Sequence, residues 1–346
     1  MSSGVVLVTG VSRRIGALLA ARLSDDESIE RVIGVDVEPP KTDLGRTEFV
    51  RADIRNPIIA KVIAQAKVDT VAHLSVIATP FGAGGRAAMK EINVIGTMQL
   101  LAACQKAPSV RKLVVKSTTA VYGSSSRDPA LFTEEMEPRA LPRSGYAKDS
   151  VEVEGYVRGF GRRRPDVDVT LLRFANFIGP RIDTPLTRYF SLPVVPTVFG
   201  FDPRLQLLHE DDGMQVLHRS VVEDHRGTFN VAADGVLLLS QAIRRAGRTS
   251  VQFPNAAVSV VGSAFRHTGL VDFSPEQLQF LLFGRGVDTR RLVEDFGYLA
   301  RYTTVEAFDD FVAGSGLRPV IDPARVEAAG ELVRDVVGRL GVAVGV

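Results

Sequence analysis

Two glycines six residues apart, Gly10 and Gly16, bracket the stretch Val11-Ser12-Arg13-Arg14-Ile15 and follow the apolar run Val5 to Thr9. A glycine after a strand lets the chain turn sharply, and a second lets the next helix pack close. The free N–H groups of that helix then face a phosphate. Asp36, twenty residues after Gly16 at the end of a second apolar run, stands where a carboxylate accepts hydrogen bonds from a ribose. Gly10, Ser12, Arg13, Arg14, Ile15, Gly16 and Asp36 are therefore read as the lining of a dinucleotide site. A three-glycine loop carries its middle glycine at Arg13 or Arg14, and a side chain there holds the backbone farther from the phosphates. Arginine at this place also suits the 2′-phosphate of NADP. Asp36 repels that group at close range, so the reading favours NAD over NADP.

The elements that must position these residues follow from hydrophobic period. Strands are expected at Val5 to Thr9, Arg31 to Asp36, Glu48 to Ala52, Thr70 to Leu74, Lys112 to Ser117 and Val169 to Phe174, alternating with helical patterns. This rhythm predicts an α/β fold, a doubly wound parallel sheet that gathers its ligands at the carboxyl ends of the strands. After Gly179-Pro180 the rhythm breaks into proline-rich, mixed segments, and Gly227 to Ala232 reads as a strand returning to the sheet. The expected organisation is a nucleotide-binding domain over 1–179 with 209–233 returning to it. A smaller, discontinuous substrate lobe comes from 180–208 and 234–320, and 321–346 forms a C-terminal helix and tail.

Composition excludes several classes. A net charge of +2 is too mild for a nucleic-acid partner, and the densest basic run, Arg162-Arg163-Arg164, caps a helix. No apolar stretch is long enough to span a bilayer and the N-terminus leads straight into a strand, so a cytoplasmic protein without membrane association is expected. Cys104, the single cysteine, lies in an apolar helical run and reads as packing. His209-Glu210-Asp211-Asp212 offers metal-type side chains, but adjacent residues converge poorly and Asp212 reads as a helix cap; no metal is expected.

Thr9-Gly10, Asp36, Asp53 in Ala52-Asp53-Ile54-Arg55, His73-Leu74-Ser75, Asn93-Val94-Ile95-Gly96-Thr97, Val121-Tyr122-Gly123 and Leu172-Arg173-Phe174-Ala175-Asn176 together carry a likeness. The chain resembles the extended short-chain dehydrogenase/reductases, the NAD-dependent epimerases and dehydratases with a Rossmann domain. More narrowly it resembles actinobacterial proteins of the UDP-glucose 4-epimerase type. The resemblance runs from the first strand to about residue 315. It implies that Asp53 and Ile54 meet the adenine, that His73, Leu74, Ser75 and Val76 line the cofactor, and that Asn93 supports the active-site helix. Residues alone leave Asp53 open as a helix cap and His73 as a core histidine. The resemblance also implies a nucleotide-diphosphate sugar at Asn176 and Arg181, and a homodimer through helices near Arg86 to Gln105 and Lys148 to Phe160.

The family's chemistry uses a tyrosine as acid and base, a lysine four residues later that lowers its pKa, and a hydroxyl donor. Thr118, four residues before Tyr122, takes the donor's place, and Lys148 is expected to bind the nicotinamide ribose. Ser144 stands where the tyrosine belongs, and none of the six tyrosines is followed by lysine at the fourth position. An alcohol holds its proton too tightly to replace a phenol. Tyr146 on a regular helix points about 200° away from Lys148, so it reaches the site only if the backbone at Gly145 is irregular; otherwise it is a packing or substrate contact. The sequence thus supports a nucleotide-sugar epimerase of atypical active site. A net reductase or dehydratase and a catalytically weak NAD(P) sensor remain open.

Overall fold

The computed structural model describes residues 4–78, 84–138, 142, 145–254 and 275–317. The expected C-terminal helix and Ser144 lie outside the described residues. Seven parallel strands form the main sheet: β1 Val5–Thr9, β2 Arg31–Asp36, β3 Glu48–Arg51, β4 Thr70–His73, β5 Lys112–Thr118, β6 Asp168–Phe174 and, later in the chain, a strand at Gly227–Val231. That last strand stands at one edge beside β6, followed across the sheet by β5, β4, β1, β2 and β3. The order reverses between β1 and β4, and the two loops diverging there open a crevice at the strands' carboxyl ends.

Side-chain alternation decides which helix covers which face. Val6, Val8 and Val114 enter one core with α1 (Arg14–Ser24), while Leu7, Leu113 and Val115 enter another with α2 (Ile58–Gln65). The second face also carries α3 (Arg86–Lys90), a π-helical turn at Glu91–Gly96, α4 (Thr97–Lys106) and α5 (Gly145–Arg163). Both faces are buried, which is why these strands read as continuous apolar runs.

Beyond the sheet come β7 (Asn176–Ile178), α6 (Pro185–Ser191), β8 (Val194–Val198), β9 (Arg204–Leu205), β10 (Leu207–His209) and α7 (Glu210–Val222). Gly227–Val231 is β11; β12 (Leu237–Leu238), α8 (Leu239–Arg245) and β13 (Thr249–Phe253) follow, then α9 (Pro275–Phe283), α10 (Arg290–Glu294) and α11 (Thr304–Gly314). A third core joins Phe190, Val195, Leu205, Ile243, Phe280 and Phe308 from these later elements. Val287, Leu292, Phe296 and Tyr298 fall in the span read as substrate lobe, yet they pack in the main core beside β11. Short apolar clusters separated by glycines carry no local mark of the core they join.

Candidate functional site

The first wall of the cleft is the loop from Gly10 to Gly16. Gly10 adopts φ +83°, and a Cβ on Gly16 would lie 2.2 Å from the Gly10 carbonyl oxygen, so loop and helix touch in a way only glycine permits. Ser12 donates from its N–H (2.9 Å) and hydroxyl (2.6 Å) to Asp36, which also accepts from the Val37 N–H at 2.8 Å. The carboxylate is thereby held in one direction at the end of β2.

His73 is a core residue. Thr97 donates to the Asn93 carbonyl at 2.5 Å, so its oxygen accepts from His73 Nε2–H at 2.8 Å. Thr9 accepts from the Leu74 N–H at 3.1 Å and donates to Nδ1 at 2.9 Å. With both ring nitrogens engaged and burial pushing its pKa down to about 4, His73 stays neutral and joins β1, β4 and α4. Its side chain therefore does not line the cofactor as the resemblance implied. Asn93 accepts from the Ile77 N–H (2.7 Å), donates to the Ile77 carbonyl (3.0 Å) and to Asp149 (3.3 Å). Arg86 donates to both oxygens of buried Asp149 at 2.7 Å and to the Gly145 carbonyl at 3.1 Å. This chain of bonds sets where α5 begins.

At that beginning the two helix residues part. Gly145 has φ +69° and α5 runs regularly from it, so Tyr146 and Lys148 face opposite ways, as 100° per residue requires. Tyr146 turns inward: its hydroxyl is hydrogen-bonded to the side chains of Thr118 and Ser150, and burial pushes its pKa up to about 12. Lys148 turns outward, 44% exposed, with its amine 4.0 Å from Glu152. The turn of the helix that admits Tyr146 thus places Lys148 outside the described cleft lining, away from where the resemblance put its nicotinamide-ribose contact. Beneath them Glu154 accepts from Ser117 (2.6 Å) and from Arg173 (3.0 and 2.7 Å), while Arg173 donates to the Tyr122 hydroxyl (2.6 Å). This buried network joins β5, β6 and α5 below the site. Tyr122 belongs to it, and its hydroxyl also donates to Asn230 at 2.8 Å.

Together these walls enclose a cleft of about 360 Å³. Arg13, Arg14, Ile15 and Gly16 line one end, Leu74, Val76, Ile77 and Ala78 the floor, and Lys116, Thr118 and Tyr146 the middle. Asn176, Ile182–Pro185, Phe280 and Arg285 close the far side. Ser75 is buried against Gly10, and Ile54 is buried against Gly96, so neither reaches this cleft. Asp53 accepts from the Arg55 guanidinium at 2.6 Å and faces a separate shallow groove with Asn56 and Glu91. Arg181 is 59% exposed, pairs with Glu210 and Asp211, and is not among the residues lining the cleft. Asp212 is corrected: His209 caps α7, whereas buried Asp212 accepts from the Tyr298 hydroxyl at 2.6 Å and the Arg301 N–H at 2.9 Å. Among the described residues no group of three or more His, Cys, Asp or Glu side chains is placed to hold a metal ion.

Sequence reasoning missed two cations. Arg285 donates to the Gly123 carbonyl (2.6 Å) and the Ser124 hydroxyl (3.0 Å) and lies over the Phe280 ring at 5.4 Å, with no carboxylate bonded to it among the described residues; burial pushes it down to about 10, against the pull of Asp128. Nothing near it in the chain signals this place. Lys116 shares a face of β5 with Thr118, and burial pushes its amine down to about 8. The two-residue period of a strand was the available signal. The residues present fit a dinucleotide: a glycine cradle, apolar walls, and several cations lining the cleft.

A profile of the NAD dependent epimerase/dehydratase family matches residues 6–232. An uncharacterized protein of Mycobacterium tuberculosis is 53% identical over 328 residues, 94% of this chain and 87% of that protein. Among solved structures, a UDP-glucose 4-epimerase with UDP-glucose from Thermotoga maritima matches with a TM-score of 0.69 at 19% identity, over 90% of this chain and 98% of that one. A UDP-glucuronic acid 4-epimerase from Bacillus cereus in complex with NAD matches with a TM-score of 0.65 at 17% identity, over 89% and 98%. At these identities the structures speak for the shared fold. Among the described residues no helix is long and apolar enough to cross a membrane.

Proposed function

Because this chain belongs to the NAD dependent epimerase/dehydratase family, we propose that it binds NAD and a nucleotide-diphosphate sugar and inverts one carbinol centre of the sugar, as a 4-epimerase does. Gly10 to Gly16 would hold the cofactor's phosphates and Asp36 its adenosine ribose, with Asp53 toward the adenine. NAD, when bound, supplies the hydride acceptor that this chemistry needs. The chain's own part is to place and move the proton. Thr118 holds the reacting hydroxyl's oxygen, Tyr146 takes its proton and later gives it back, and the Thr118–Tyr146 hydrogen bond joins the two. Asn176 and Arg285 meet the substrate's diphosphate, Arg285 with a charge that Asp128 acts on but that no carboxylate among the described residues bonds.

The observation that carries this reading is the single cleft that runs from the phosphate loop past the bonded Thr118 and Tyr146 hydroxyls to Asn176 and Arg285. Its test is calorimetric titration with NAD followed by turnover of UDP-glucose and UDP-galactose. Interconversion with NAD retained through purification supports it; exchange of the cofactor with a net redox product would make the protein a reductase or dehydratase instead. A second reading rests on the outward Lys148 and the phenol pushed up to about 12: a nucleotide-binding protein with very slow chemistry. Tight binding of NAD and UDP-sugar without interconversion would favour it. A homodimer through α4 and α5 is part of the proposal, since Ile95, Met98 and Tyr156 are exposed on that surface.

A further inference from the structure

Lys116 is a strange residue for its place. It sits near the carboxyl end of a central strand, half-buried, between apolar Val115 and the Ser117 that Glu154 holds. Its amine makes no hydrogen bond or ion pair with the described residues, although a lysine in such surroundings ordinarily has a partner. The charges that act on it are all of one kind. Arg13 approaches from the phosphate loop and repels it. His73, on β4 next to it, is neutral. Arg14 faces Glu210 at 3.9 Å, and Tyr146 and Thr118 are bonded to each other. Arg13, on which Asp36 and Glu38 also act, and Lys116 are thus two cations lining one cleft beside a backbone cradle that lacks its middle glycine.

We infer that Lys116 is the anchor for the cofactor's diphosphate, a side-chain charge on β5 that joins Arg13 in doing what backbone amides alone do in a three-glycine loop. The inference rests on the proposed NAD site and adds a residue to it. A dianion between the two cations turns their repulsion into two charge-assisted hydrogen bonds. The depressed ammonium, near 8 in the free protein, then gains a partner and titrates higher. The nucleotide-sugar also carries a diphosphate, for which Asn176 and Arg285, lining the same cleft, are the residues proposed above. Lys116 is a binding residue here and takes no part in the proton transfer.

The test is calorimetry on the purified full chain with NAD, ADP-ribose and UDP-glucose, for wild type, Lys116→Met and Lys116→Arg. Wild-type binding of NAD comes first, and its failure would sink the cofactor site as a whole, separately from Lys116. Given that binding, Lys116→Met should weaken NAD and ADP-ribose at least tenfold and leave UDP-glucose within twofold, while Lys116→Arg restores most of the loss. Wild-type affinity for NAD should fall about tenfold from pH 7 to pH 9, as an ammonium titrating near 8 empties, and the Met variant should lack that slope. The melting temperature of ligand-free Lys116→Met should equal or exceed wild type, since an unpartnered charge has been removed. Equal NAD affinity in the Met variant, or a loss confined to UDP-glucose, overturns the inference; so does a wild-type affinity independent of pH.

Discussion

Tyr146 can be tested through the pH dependence of the reaction it is proposed to serve. Burial is the largest influence on its phenol and raises its pKa; the bonds to Thr118 and Ser150 act the other way, and the charge of Glu154 raises it again. The result is about 12, so at pH 7 roughly one molecule in 10⁵ carries the phenolate that accepts a proton. The base form grows tenfold with each unit of pH until the phenol titrates. With NAD saturating at every pH, kcat/KM for UDP-glucose should therefore climb with a logarithmic slope near one between pH 6.5 and 9.5. No plateau should appear, and the total gain should be about three orders of magnitude. Tyr146→Phe should lower the rate at pH 9 by about 10² to 10⁴ and abolish the slope. A plateau at or below pH 8 would show that another group does the work, and an unchanged rate in the Phe variant would remove Tyr146 from the mechanism.

Three further outcomes are expected. Gly16→Ala should cost most of the NAD affinity in a titration, because its Cβ would lie 2.2 Å from a backbone oxygen of Gly10 and the cradle must open to admit it. Glu154→Gln should lower unfolding free energy by about 3–5 kcal/mol in urea melts, since it leaves Arg173, only 8% exposed at its side chain, without its carboxylate; a change below about 1 kcal/mol would show that the network is not coupled to stability. Lys148→Met should shift NAD affinity less than twofold, because an exposed amine 4.0 Å from Glu152 contributes little, and a tenfold loss would mean that Lys148 swings into the cleft when the cofactor binds.

Much of the frame was legible. The strands β1 to β6 and β11 fall within a residue or so of their expected bounds, since alternation and β-branched runs are properties of a few neighbouring residues. Thr118 reached the cleft because a strand end places it there whatever packs around it. Tyr146 was left open for a concrete reason: its direction depends on where α5 starts, and Arg86, Asn93 and Asp149, up to 63 residues apart in the chain, decide that start.

By itself the sequence determined a parallel sheet with a glycine-bounded loop at Gly10 to Gly16, Asp36 at the end of the second strand, and a serine four residues before Lys148. The tertiary structure alone decided that Tyr146 turns in and Lys148 out, that His73 is a neutral core residue, and that Arg285 arrives 162 positions after the Gly123 carbonyl it meets. Local pattern sets a residue's element and face. Which charges go unpartnered and which phenol is pushed up depends on what water is excluded by residues distant in the chain, and that is settled only when they come together.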